Sequence, residues 1–141
     1  MRRSCFYDTG LACALLGIES PEQLATHYLR GGLFESLVIS DIIKQQYNDT
    51  QRPHVYFWQE PSTNEINCIV EKADKKLAIE IKASKTMSKS FFKTLRSWSA
   101  FSSSPTTHNF LVYTGTQNEI WPDAQVVSWM HISDICAILK T

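Results

Sequence analysis

Apolar residues recur along this chain with two different periods, and the changes of period mark its elements. Leu11, Ala12, Ala14, Leu15 and Leu16, behind Asp8-Thr9-Gly10, predict a short helix stopped by Gly17. Ser20-Pro21-Glu22 predicts a second, with Ser at the N-cap and Pro at the first helical position, ended by Arg30-Gly31-Gly32. A third is expected from about Leu33 to Gln46, with Val38, Ile39 and Ile42 on its apolar arc and Ser36, Ser40 and Lys44 as the solvent stripe. The period then falls to two. Val55–Trp58, Glu65–Val70 and Leu77–Lys82 read as strands rich in β-branched and aromatic residues. Ser88 and Ser90 open a helix whose Phe91, Phe92, Leu95, Trp98 and Phe101 share one face, and Ser102–Pro105 breaks it. Phe110–Tyr113 and Val126–Ile132 are expected strands, and Ser133 caps a last helix through Leu139. The expected order is ααα-βββ-α-β-β-α, an α/β class with a central mixed sheet.

The strands around the polar turn Glu71–Lys76 can be aligned on pattern alone. Centring the loop between Ala73 and Asp74 sets Val70 opposite Leu77, Cys68 opposite Ile79 and Ile66 opposite Ile81, an apolar face throughout. The other face then opposes Ile69 to Ala78, Asn67 to Glu80 and Glu65 to Lys82. A slip of one residue would put apolar side chains against polar ones, so the pattern selects this register. Asn67, Glu80, Glu65 and Lys82 are thereby expected to form one polar cluster.

Composition narrows the partners. The 141 residues suffice for one domain with one sizeable core, and 43% of them are hydrophobic. Fourteen Lys and Arg balance fourteen Asp and Glu, which excludes a strongly basic nucleic-acid protein. The balance hides a basic stretch. Lys72 to Arg96 holds eight basic residues and two acids, a local excess of +6 that suits phosphates. No apolar run is long enough for a membrane span. No Walker loop and no G-x-G-x-x-G is present. Cys5, Cys13, Cys68 and Cys136 are widely spaced and read as reduced thiols of a cytoplasmic protein. The four histidines lack ligand spacing, and the tryptophans read as core and rim.

Two strands with Glu80-Ile81-Lys82 on the second, in an αβββαβ order from Leu33 to Tyr113, resemble the PD-(D/E)XK nuclease core. In that superfamily two acids hold magnesium, and the Lys orients or activates the attacking water. Phe6-Tyr7-Asp8-Thr9-Gly10-Leu11, Leu29–Glu35, Asn64–Asn67 and Ile79–Ser84 resemble, more narrowly, an uncharacterised C-terminal domain carried by bacterial and archaeal AAA+-type ATPases. The resemblance spans nearly all of the chain. It implies residues 1–32 as an N-terminal helical part, 33–113 as the core, and 114–141 as a C-terminal strand and helix. It also implies a missing ATPase domain, so that this chain is a fragment or a truncated gene product.

The site residues implied are Glu35, Glu80, Lys82 and position 67, where the family's Asp is replaced by Asn67; the family's Arg after the aromatic strand is Gln59 here. Asn67 offers a neutral oxygen, which weakens a magnesium site and leaves Glu80 as the one metal ligand of the pair. Lys82 is then expected to pair with Glu65 or Glu35. Lys85, Lys89, Lys93 and Arg96 form the candidate DNA-contacting stripe, on one helical face if the helix starts early enough. The reading is a degenerate nuclease-like domain that binds DNA or a protein partner such as the ATPase half. No cofactor is expected. The alternative is an active DNA endonuclease using magnesium or manganese.

Overall fold

A computed structural model describes residues 10, 13–14, 17–49, 52, 54–59, 61 and 64–141. The first expected helix and the Phe6–Leu11 motif fall mostly outside these. The elements are α1 (Pro21–Thr26), α2 (Arg30–Asn48), β1 (Val55–Gln59), β2 (Glu65–Lys72), β3 (Lys75–Lys82), α3 (Lys93–Ser102), β4 (Asn109–Tyr113), β5 (Glu119–Ile120), β6 (Gln125–Ser128) and α4 (Ile132–Ile138). No helix among the described residues is long and apolar enough to cross a membrane.

The strands form one six-stranded sheet in the order β1-β2-β3-β4-β6-β5. β1, β2 and β3 are antiparallel neighbours; β4 runs parallel to β3, and β6 parallel to β4. A sheet apolar on both sides must be covered on both. Val38 and Ile42 of α2 and Ile132, Ile135 and Cys136 of α4 bury one face against Cys68, Val70, Leu77, Ile79 and Ile81. On the other face Phe92 and, from α3, Leu95 and Trp98 meet Ile66, Ile69, Ala78, Leu111 and Tyr113. The expected mixed sheet with helices on both faces is therefore present.

The hairpin register is the expected one from Cys68↔Ile79 through Val70↔Leu77, and the ladder continues to Lys72↔Lys75. Beyond Cys68 the expectation fails. Tyr56 pairs with Ile69 but Trp58 with Ile66, so two residues of β2, Asn67 and Cys68, stand against the single Phe57. This is a β-bulge, which inserts a residue and reverses the alternation. Ile66 consequently packs with Ile69 on the α3 side instead of with Cys68 and Ile81.

Three local expectations also change. Arg30-Gly31-Gly32 opens α2 rather than closing α1, which stops at Thr26. The Arg30 side chain donates to the Ala83 carbonyl at 3.1 Å and so anchors this first turn to the end of β3. Ser36 and Ser40 are buried, not solvent-facing. Their short side chains suit a tightly packed helix face, and Ser40 Oγ donates to the Leu37 carbonyl at 3.0 Å within its own helix. The last strand ends at Ser128, whose hydroxyl accepts from Met130 N–H (3.3 Å) and caps a 3-10 turn over Trp129–His131, while α4 begins at Ile132.

Gly115 sits where a side chain has no room. A Cβ there would overlap the ring of Tyr113, itself buried, and the Gly115 carbonyl accepts from Ser128 Oγ at 2.7 Å. Gly115→Ala is expected to destabilise the fold by about 1–3 kcal/mol through overpacking. Chemical denaturation monitored by circular dichroism measures it, and an unchanged midpoint would show that the Tyr113 ring can move aside.

Candidate functional site

The C-terminal ends of the parallel strands β3, β4 and β6 lie side by side, with Lys82 next to Tyr113 and Tyr113 next to Ser128. In α/β sheets this edge is where loops diverge and leave room for a ligand. Here the chain beyond β3 is tied down. Ser84 N–H donates to the Lys82 carbonyl (2.8 Å), Thr114 N–H to the Ser84 carbonyl (3.1 Å), and Arg30 reaches Ala83 from α2.

Glu80 and Lys82 alternate with Ile79 and Ile81 along β3 and so face α3. Glu80 is paired with Leu111 of β4 and is 3% exposed. Burying a carboxylate is costly unless it is ion-paired or hydrogen-bonded. Lys82 Nζ lies 3.0 Å from Glu80 Oε1, within the same strand, and 5.6 Å from the centre of the Phe91 ring. The i, i+2 spacing on one strand face makes this pairing possible. The partner Lys82 takes is Glu80, in place of the expected Glu65 or Glu35. The helix that carries Glu35, α2, packs against the other face of the sheet, and Glu35 is half-buried there.

Asn67 does not stand opposite Glu80 in the ladder. Its side-chain Oδ1 accepts the Ile81 N–H at 2.7 Å, in a buried position. The bulge takes the neighbouring β2 backbone out of register, and the Asn67 amide supplies the acceptor that a buried N–H requires. Asn67 is therefore bound into the sheet itself. Among the described residues, no group of three or more His, Cys, Asp or Glu could hold a metal ion.

The basic stripe is divided. A 3-10 turn covers Lys89–Phe92 and α3 starts at Lys93, which leaves Lys85 on the preceding loop, off the helix. Ser88 caps this turn by accepting from Ser90 N–H at 3.4 Å. Lys85, Lys89 and Lys93 are exposed. Arg96 forms a 2.8 Å ion pair with Asp123, which sequence spacing gave no means of finding.

This arrangement defines an α/β protein with three antiparallel strands, a crossover helix and a parallel continuation, carrying a Glu–Lys pair at the strand ends. The chain belongs to the family described as Domain of unknown function (DUF4143), which matches residues 30–132. The match begins at the first residue of α2 and ends at the first residue of α4. No curated protein and no solved structure matches the chain.

Lys82→Met would leave Glu80 buried beside an apolar chain. The expected cost is about 1–3 kcal/mol, below the ~3–5 typical of a fully buried pair, because the Lys82 side chain is 36% exposed. Adding Glu80→Gln should recover part of that loss in a double-mutant cycle. Strictly additive losses in urea titrations would show that the two charges do not stabilise each other.

Proposed function

We propose that this domain is a restriction-endonuclease-like αβββαβ core that has lost metal-dependent cleavage and serves an ATPase-linked system as a DNA-binding module. The element order supports the core: α2, the antiparallel β1–β2–β3, then α3 and the parallel β4. The observation that carries the loss of catalysis is the way the candidate residues answer one another. Glu80 holds Lys82, and the Asn67 oxygen holds the Ile81 N–H. A magnesium ion needs several hard, charged oxygens converging on one point. Asn67 contributes no charge, and Glu80 Oε1 is engaged by an ammonium. These residues do not fit a resident magnesium or manganese.

DNA binding rests on the exposed Lys85, Lys89 and Lys93 beside that strand end, with Arg96 contributing less because Asp123 already neutralises it. Such lysines position a phosphate backbone and carry no sequence preference by themselves. An active nuclease is the second reading, and the closeness of Glu80 and Lys82 favours it.

Fluorescence anisotropy with duplex and single-stranded DNA is expected to show binding that weakens steeply with salt. Lys89→Ala with Lys93→Ala should reduce the salt slope by about two, one for each phosphate that no longer meets an ammonium. No binding at low salt would leave the lysines as a solvated face and favour a protein partner. On plasmid DNA with magnesium or manganese, the unmodified chain should not cleave. Robust cleavage abolished by Glu80→Ala would replace the first reading with the second.

A further inference from the structure

We propose that a second site, at the opposite end of β3 from Lys82, binds a small phosphomonoester of the nucleoside monophosphate class. A cavity of about 350 Å³ opens there between the end of α2, the start of β1, the β2–β3 turn and the end of α4. That volume lies within the usual range for a small-molecule site.

Its charges are unevenly spent. Of the two lining carboxylates, Asp49 holds Lys140 at 3.0 Å, and Glu71 accepts from the Tyr56 hydroxyl at 3.1 Å. Arg52, His54 and Lys72 also line the cavity, and among the described residues their side chains have no hydrogen-bonding or ionic partner. A planar guanidinium, an ammonium and an imidazole lining one cavity suit a phosphate dianion. The floor is different in kind. Leu139 and Cys136 give it an apolar surface, and the Cys136 thiol is pushed up to about 11, first by burial and then by Asp41, so it stays protonated and neutral.

One polar group in the wall asks for a donor. Gln46 is 8% exposed, and its Oε1 has no hydrogen-bond partner. A buried acceptor left unsatisfied is uncommon in a native fold. A ligand with an anionic end for Arg52, Lys72 and His54, an apolar planar body for Leu139 and Cys136, and an N–H for Gln46 answers every part of the cavity. A nucleoside monophosphate has all three. The site uses none of the residues placed at the Glu80–Lys82 end and stands independently of the function proposed there.

Isothermal titration calorimetry of the full chain with AMP, adenosine and orthophosphate tests this. AMP is expected to bind with one-to-one stoichiometry, and adenosine and orthophosphate each more weakly. Arg52→Ala and Lys72→Ala, both near the rim, should each weaken AMP about tenfold, the effect of removing one charge-assisted hydrogen bond. Gln46→Met should weaken AMP and leave orthophosphate unchanged. Circular dichroism confirms that each variant is folded. Absence of AMP binding up to about 10 mM, weaker than any useful affinity, would overturn the proposal. So would binding abolished by Lys89→Ala but kept in Arg52→Ala, which would place the phosphate on the other end of the molecule.

Discussion

A backbone N–H buried between two covered faces of a sheet must find an acceptor, and that requirement governs the middle of this protein. β2 cannot run straight: the two residues Asn67 and Cys68 oppose one on β1. The bulge moves Ile66 to the α3 side, where it shares a cluster with Ile69, Phe92 and Trp98. It also costs β3 an acceptor, which the Asn67 side chain restores at Ile81. An amide does this without bringing a charge into the core. The residue that looks like a damaged catalytic acid thus has a structural task that needs no ion.

The same economy extends to Glu80 and Lys82. Two residues apart on one strand, they form an ion pair through Glu80 Oε1 at 3.0 Å. Such a pair contributes little net stability compared with a well-packed apolar pair, since desolvating the carboxylate offsets most of the attraction. An ion pair set beside an apolar cluster that includes Leu111, Ile66 and Phe91 is a reason to look for function there. The lysines proposed to meet phosphates, Lys85, Lys89 and Lys93, are exposed on the chain that follows this strand end.

Much of the architecture was legible in the chain. Alternation selected the hairpin register from Cys68 to Val70, because both faces are buried and a slip would have been costly. It misplaced Ile66, because a bulge breaks the period of two without leaving a Gly or Pro as a marker. Gly31-Gly32 read as a stop, yet the helix begins there: tertiary interactions, the Arg30 bond to Ala83 and the burial of Leu33, outweigh weak local propensity. The two-residue β5 was too short to leave a pattern. At the site, E-x-K spacing located Glu80 and Lys82 but not their mutual pairing, and nothing in the sequence joined Arg96 to Asp123. The cavity at the far end draws Gln46 and Arg52, Lys72, and Cys136 from three separate stretches, a convergence visible only once the chain is folded.

The β2–β3 turn bears on the order in which the chain assembles. Its two residues are Ala73 and Asp74, and Ala73 has a φ of 54°. Hairpin turns of this length normally put Gly at such a position, because a Cβ in the left-handed region is strained by roughly 1–2 kcal/mol. The hairpin is nevertheless the most local pairing in the sheet, whereas β3 and β4 must await the intervening α3 before they can meet. An alanine in that turn puts the strain on the earliest pairing the chain can make. The hairpin therefore closes less favourably than its short loop alone would allow, and a glycine at that position would relieve it.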